Sequence, residues 1–211
     1  TTSTAKMMAE NYIEAGCDVI AMVDPMTSQI DPEIFEQFVS PFAMEIFSFI
    51  RDNSSLSSFF VCGNAQQNIE VMCKCRPDNI SIDENIPLGY VKETALSYNI
   101  SFGGNMKLTT VLLLGSEEDA KREALECMDT GGKNGYILSP GCDLAMDTPI
   151  ENLKAVTEIV YDEWMQGELR ASAATVHEIE KLDLTNHWKT DKVVVDVITL
   201  DSSSCAPCQY M

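Results

Sequence analysis

Short apolar runs alternate with helical segments along the chain, and this alternation is what most limits the fold. The runs are continuous, as is typical of parallel strands covered by helices on both faces. Helical spacing fills segments such as 33–51 and 66–74. The strands are predicted at 18–24, 58–62, 79–83, 99–103 and 135–139. The pattern predicts an α/β fold with five βα units, and periodicity alone leaves open a doubly wound sheet or part of an eight-stranded barrel.

Two helices have recognisable boundaries in the sequence. Ser116 begins a capping box, and its helix is predicted to end at Gly131. A second box is predicted at Thr148, with Pro149 in the first turn, opening a helix that runs to about Gln166. No strand is followed by a glycine-rich phosphate loop, so the nucleotide-binding type of α/β sheet is not expected.

The charge of the chain excludes some partners. Its formal net charge is -19, which argues against nucleic acid and against anionic membrane surfaces, because both need a basic face. The sequence has no apolar window of about 18 residues and no signal-peptide pattern, so we expect a cytoplasmic protein. Its eight cysteines then favour metal binding or redox chemistry over a disulfide scaffold.

The alternation of apolar runs and helical segments ends near residue 167, where a charged helical stretch begins. We predict a first domain at 1–167, a helical linker at 168–191 and the start of a thioredoxin-like domain at 192–211. In that last segment a β-branched strand leads into a C-A-P-C motif, Cys205 to Cys208. A C-x-x-C motif before a helix lowers the pKa of its first thiol, which predicts redox activity; half of a metal site is the alternative.

Polar residues follow nearly every predicted strand. Because the carboxyl ends of parallel strands meet at one edge, these side chains should form a polar cup. Two thiols in that cup could hold a soft metal ion. The residues are Asp24, Cys62, Asn64, Asp83, Asn105, Cys142 and Asp143. Taken singly, an aspartate before proline is often a turn former, and a cysteine is often a small buried apolar residue.

The other cysteines have simpler interpretations. Cys73 and Cys75 lie two apart on a predicted helix, where their side chains diverge, so they are expected to be structural. Cys17 and Cys127 lie in apolar surroundings and are expected in the core.

Four motifs in a fixed order resemble the C-terminal half of the uroporphyrinogen decarboxylase superfamily. They are I-S-I-D at 80–83, F-G-G-N at 102–105, L-L-L-G at 112–115 and G-Y-I-L-S-P-G-C at 135–142. Within the superfamily, Cys62 and Cys142 are similar to the two cysteines of the zinc-dependent corrinoid methyltransferases. Those enzymes move a methyl group from a methylated cobamide, carried on a partner corrinoid protein, to a thiol such as coenzyme M.

The resemblance implies a (β/α)8 TIM barrel whose last five strands are present, with about three N-terminal βα units missing. It implies one zinc ion held by a His-x-Cys motif and a later cysteine, with Cys62 and Cys142 as ligands. Phe60 occupies the position of the histidine, so the third and fourth ligands stay open. The zinc would present the acceptor thiol as a thiolate. The residues expected to line the cup and orient substrate are Asp24, Asn64, Asp83 and Asn105.

Two other functions remain open. A metal-free decarboxylase of uroporphyrinogen type would need basic residues at the strand ends, and Arg76, Arg122 and Arg170 do not lie there. A noncatalytic corrinoid- or thiol-binding protein would have lost its metal together with the histidine. Zinc content separates the methyltransferase from both.

Overall fold

The computed structural model describes residues 2–176. The thioredoxin-like strand and the C-x-x-C motif at Cys205 and Cys208 lie outside the described residues, as does the predicted linker from residue 177 onward, and the domain boundaries proposed for them stay predictions. The chain divides into two compact units, Thr1–Asp162 and Glu163–Met211. The described part of the second unit is one helix, Glu163–Val176.

The first unit contains one parallel sheet in which spatial order equals chain order. Each strand pairs with the next along the chain. The strands are β1 (Val19–Val23), β2 (Leu56–Val61), β3 (Asn79–Ile82), β4 (Ser101–Met106) and β5 (Tyr136–Pro140). A doubly wound sheet reverses its strand order at a switch point, and this sheet does not. The parallel α/β prediction is confirmed, and the order is consistent with part of a TIM barrel.

Helices connect the strands and cover one face of the sheet. Phe59 of β2 is fully buried on that face, with its ring centroid 6.2 Å from that of Phe35 and 5.4 Å from that of Phe47. The opposite face carries residues such as Ser58 and Phe60, which are only half-buried. The helices of this unit are α1 (Thr2–Glu14), α2 (Pro32–Phe38), α3 (Ser40–Asp52), α4 (Ile69–Lys74), α5 (Leu88–Ser97), α6 (Glu117–Gly131) and α7 (Ile150–Tyr161). The described helix of the second unit, Glu163–Val176, is α8. Shorter 3₁₀ and π turns occur at Pro25–Gln29, Gln66–Asn68 and Leu108–Leu113.

The capping box of α6 forms as predicted. The Ser116 hydroxyl accepts a hydrogen bond from the Asp119 amide at 3.2 Å, and the Asp119 carboxylate accepts one from the Ser116 amide at 2.9 Å. This reciprocal pair satisfies two amides that have no partner inside the helix.

Two helix predictions were wrong in detail. The segment 33–51 is two helices, because α2 ends at Phe38 and Pro41 lies in the first turn of α3. A proline cannot donate an amide hydrogen bond to the preceding turn, so a new helix starts there. No capping box forms at Thr148: Pro149 is the N-cap, and the buried Thr148 hydroxyl has no hydrogen-bond partner among the described residues.

The helix after Pro149 is also shorter than predicted. It ends at Tyr161, because Asp162 leaves helical backbone geometry with φ -106° and ψ 88°. None of the helices between residues 2 and 176 is long and apolar enough to cross a membrane.

Candidate active site: a thiol pair at the strand ends

Cys62 and Cys142 lie side by side. Their Sγ atoms are 3.3 Å apart, although the residues are separated by 80 positions in the chain. Cys62 directly follows β2 and Cys142 follows β5, so two strands lie between them. In a flat sheet, strand spacing of about 4.8 Å would separate β2 and β5 by roughly 14 Å. Curvature of the sheet, together with the loops after the strands, brings the two sulfurs together.

Gly141 explains how the Cys142 loop approaches so closely. A Cβ atom at this position would lie 2.6 Å from the amide nitrogen of Glu84, closer than side chains tolerate. The Gly141 amide also donates to the carbonyl of Met106 at 3.0 Å. The loop therefore passes between the end of β4 and the segment after β3, and glycine is the residue that fits.

Asp83 connects the ends of β2 and β3. Its Oδ2 accepts hydrogen bonds from the Gly63 amide at 3.0 Å and from the Cys62 thiol at 3.6 Å. Its Oδ1 accepts from the backbone amide of Asn85 at 2.9 Å and from the Asn85 side chain. Burial opposes the charged form, but the hydrogen bonds from Asn85 and Gly63 together outweigh it and hold the pKa of Asp83 below its usual value. Asp83 is thus a buried carboxylate that fixes the backbone next to Cys62.

Asn105 holds the same segment from the side of β4. Its Nδ2 donates to the carbonyls of Asp83 at 3.1 Å and of Ile86 at 2.8 Å. Its backbone has φ +85°, a left-handed conformation that is uncommon outside glycine. The sequence predicted a substrate-binding role for Asp83 and Asn105; the contacts found are with the protein itself, and a role toward substrate stays a prediction.

Asp24 and Asn64 lie at the ends of β1 and β2. The Oδ1 of Asp24 accepts the Met26 amide at 2.9 Å and caps the following 3₁₀ turn, as expected of an aspartate before proline. Asn64 is exposed and lines a surface cavity of about 530 Å³ with Gln66, Gln67 and Tyr90. Of the four residues predicted to line the cup, Asn64 is the most exposed.

The surroundings of Cys62 disfavour its thiolate. The hydrogen bond with Cys142, burial and the Asp83 carboxylate together raise the pKa of Cys62 to about 12. At neutral pH it is therefore a neutral thiol unless a cation lies beside it. A metal ion reverses this balance, because a coordinating thiol loses its proton.

The two thiols fit zinc as a partial ligand set. Two thiolates bound to one zinc lie about 3.8 Å apart, since each Zn–S bond is about 2.3 Å, and the observed separation of 3.3 Å is close to that value. Phe60, at the position of the expected histidine, supplies no donor. Within residues 2–176, no cluster of three or more His, Cys, Asp or Glu side chains is arranged to hold a metal. The described chain thus offers two sulfur ligands and leaves the shell incomplete.

A row of hydrogen-bonded polar side chains on the sheet face opposite the helices was not anticipated from the sequence. The Ser58 hydroxyl donates to Asn79 Oδ1 at 2.9 Å, and Asn79 Nδ2 donates to the Ser101 hydroxyl at 3.1 Å. These residues are aligned in register across β2, β3 and β4. The sequence does show a polar residue near the start of β2, β3 and β4, and this pattern could have predicted the row. The row makes this face polar toward the strand starts, whereas the thiol pair lies beyond the strand ends.

The remaining described cysteines divide by burial. Cys73, Cys75 and Cys127 are buried, as predicted, and the Cys75 thiol donates to the Val71 carbonyl at 3.3 Å. Cys17 is exposed, so its assignment to the core was wrong. It lies in the turn between α1 and β1, outside the apolar layer.

Thiol and carboxylate side chains at the carboxyl ends of parallel strands occupy the position of the active site in barrel-type enzymes. The chain belongs to the uroporphyrinogen decarboxylase (URO-D) family, whose model matches residues 1–163. This confirms the family resemblance, and the five-stranded parallel sheet is consistent with part of a TIM barrel.

Similar proteins include both methyltransferases and decarboxylases. The chain is 30% identical over 158 residues to the methylcobamide:CoM methyltransferase MtaA of Methanosarcina barkeri, covering 74% of this chain and 45% of that protein. It is 29% identical over 161 residues to uroporphyrinogen decarboxylase of Anaeromyxobacter sp. (strain Fw109-5), covering 76% and 45%. A solved methyltransferase from Methanosarcina mazei is 30% identical with a TM-score of 0.68, covering 75% of this chain and 46% of that one. The chain therefore spans about half the length of these relatives.

Proposed function

We propose that this chain carries the thiol-activating site of a zinc-dependent methyltransferase. The reaction would move a methyl group from a methylated corrinoid protein to a thiol acceptor such as coenzyme M. The observation that carries the proposal is the 3.3 Å approach of Cys62 and Cys142 at the strand ends. The similarity to methylcobamide:CoM methyltransferases supports the proposal. The activity is proposed for a protein with the whole barrel, of which this chain supplies five βα units.

Each residue of the site has a proposed task. Cys62 and Cys142 hold the zinc, which when bound acts as a Lewis acid that lowers the pKa of the acceptor thiol. Asp83 keeps Cys62 in position through the Gly63 amide. Asn64 and Asp24, at neighbouring strand ends, are proposed to orient the substrate. The third protein ligand is proposed to come from outside residues 2–176, because Phe60 cannot serve.

The proposed partners follow from the same chemistry. They are a corrinoid protein as methyl donor and a small-molecule or protein thiol as acceptor. The net charge of -19 disfavours nucleic acid and anionic membranes as partners. A redox role for Cys205 and Cys208 remains a separate prediction from the sequence.

The test is zinc content measured by mass spectrometry under reducing conditions. We expect about one zinc per chain in the parent protein, and loss of that zinc in Cys62→Ser and in Cys142→Ser. Cys17→Ser is the matched control, because Cys17 is exposed and lies away from the pair, so its zinc content should be unchanged. Methyl transfer from methylcobalamin to coenzyme M should follow the same pattern.

A different result would favour a rival. Loss of carboxyl groups from uroporphyrinogen without zinc would identify a decarboxylase, as the similarity to uroporphyrinogen decarboxylases allows. That substrate carries several carboxylates, yet Lys107, just after β4, is already paired with Glu123 at 2.8 Å. Absence of zinc and of both activities would indicate a noncatalytic corrinoid- or thiol-binding protein.

A further inference from the structure

We infer that Cys62 and Cys142 form a reversible dithiol–disulfide couple that switches the site off when oxidised. The inference goes beyond the proposed function: the disulfide itself rests on the positions of the two sulfurs, and only its effect as a switch rests on the proposed zinc site. It assigns a modification site to the pair, with small disulfides as the reagent class.

The pair is close enough to bond after a small movement. A disulfide has an S–S length of about 2.05 Å, so the sulfurs must approach by roughly 1.2 Å from their separation of 3.3 Å. Cys142 lies in the segment between β5 and α7, which has no regular secondary structure before Ile150. A loop of this kind can supply such a movement without disturbing the sheet.

The pair also differs from the other described cysteines in accessibility. Both residues are half-buried, so a small reagent can reach them. Cys73, Cys75 and Cys127 are buried, and Cys17 is exposed in the turn between α1 and β1. Side chains two positions apart on a helix point in different directions, so Cys73 and Cys75 do not face each other. Formation of an intramolecular disulfide should therefore concentrate on Cys62 and Cys142.

Zinc binding and disulfide formation compete for the same two sulfurs. A thiolate in a full zinc shell is protected by its metal, so the pair is open to this chemistry when it carries no zinc. Oxidation would consume both sulfurs at once. The same two atoms cannot bind zinc and each other, so the couple would act as an on–off control of the proposed activity.

The reaction balances with oxidised glutathione as the oxidant. One protein thiol loses its proton, attacks a glutathione sulfur and expels the first glutathione thiolate, leaving a mixed disulfide. The second protein thiol loses its proton, attacks the protein sulfur of that mixed disulfide and expels the second glutathione. Two protein thiols become one disulfide, one glutathione disulfide becomes two glutathione molecules, and the released protons are taken up by those thiolates or by the buffer.

The experiment uses the full chain after removal of metal with a chelator, in a Cys205→Ser/Cys208→Ser background that excludes the C-x-x-C motif. The protein is equilibrated in glutathione redox buffers, quenched with acid, labelled with a maleimide and digested with trypsin without reduction. We expect Cys62 and Cys142 both to lose their maleimide label and to appear as a cross-linked pair of peptides. Trypsin leaves Cys62 and Cys73 in one peptide, so fragment ions must assign the linked residue.

Reversal and a matched variant complete the design. Dithiothreitol should restore both thiols, and the oxidised protein should melt at a higher temperature because the bond closes a long loop. In Cys142→Ser, Cys62 should carry glutathione and no cross-link should form. The inference is overturned if both thiols stay reactive, if each carries glutathione separately, or if Cys17 cross-links equally well. Since no zinc is present, such a result leaves the zinc test of the proposed function untouched.

Discussion

At the scale of single residues, the site depends on atoms that hold the two cysteines rather than on the cysteines alone. Asp83 accepts hydrogen bonds from Gly63 and Asn85, and Asn105 binds the carbonyls of Asp83 and Ile86. Such a network is costly to leave half-satisfied, because buried polar groups need partners. The position of Cys62 is therefore fixed by its neighbours on β3 and β4.

Gly141→Ala should separate the two sulfurs. The new methyl group would lie 2.6 Å from the Glu84 amide nitrogen, so the Cys142 loop must shift outward. We expect a loss of about 1–3 kcal/mol in the free energy of unfolding, together with a lower yield of the Cys62–Cys142 cross-link in mass spectrometry. Gly89→Ala is the control, because its methyl group would meet nothing closer than a Thr130 carbon at 4.0 Å. An equal cross-link yield in both variants would contradict this role of Gly141.

At the scale of elements, α6 is the helix whose start was fully specified by local sequence. The hydrogen bonds from the hydroxyl and the amide of Ser116 lower the pKa of Asp119 against the opposing effect of burial. The carboxylate form therefore stabilises the fold above its unfolded pKa of about 3.9, and this contribution is lost as pH falls through the lower folded pKa.

Asp119→Ala should therefore destabilise the protein in a pH-dependent way. At pH near 7 we expect a loss of up to about 1 kcal/mol, kept small by solvent exposure of the pair. The difference from the parent should shrink as pH falls below about 3.9. Urea unfolding at several pH values measures it. Glu126→Ala, at an exposed position in the same helix, should show little change; an equal loss there would mean that general helix effects explain the result.

At the scale of the whole molecule, the pKa values and reactivity of the buried thiols measure the unfolding of the first unit. Burial raises the pKa of both Cys73 and Cys127 to about 12. The unfolded chain releases these protons near pH 8.5. Because the folded state keeps them, stability should fall as pH rises from that value toward the folded pKa.

Native protein should accordingly react with iodoacetamide at Cys17 first, since it is exposed. Cys73, Cys75 and Cys127 should react only as the protein unfolds, so their labelling should follow the urea transition seen by circular dichroism. The unfolding midpoint at pH 9.5 should be lower than at pH 7.5 for the same reason. Rapid labelling of the three buried thiols in the native state would show that the helix layer opens locally.

The sequence by itself determined the five strands, their alternation with helices and the start of α6. These features depend on hydrophobic period, glycine and capping residues, which act over a few positions. It also placed Cys62 and Cys142 at strand ends, and so predicted that they could meet. Only the tertiary structure decided that their sulfurs lie 3.3 Å apart, that Asp83 is engaged by Gly63 and Asn85, and that Cys17 is exposed. Those outcomes depend on sheet curvature and on loop contacts between residues up to 80 positions apart, which no local pattern encodes.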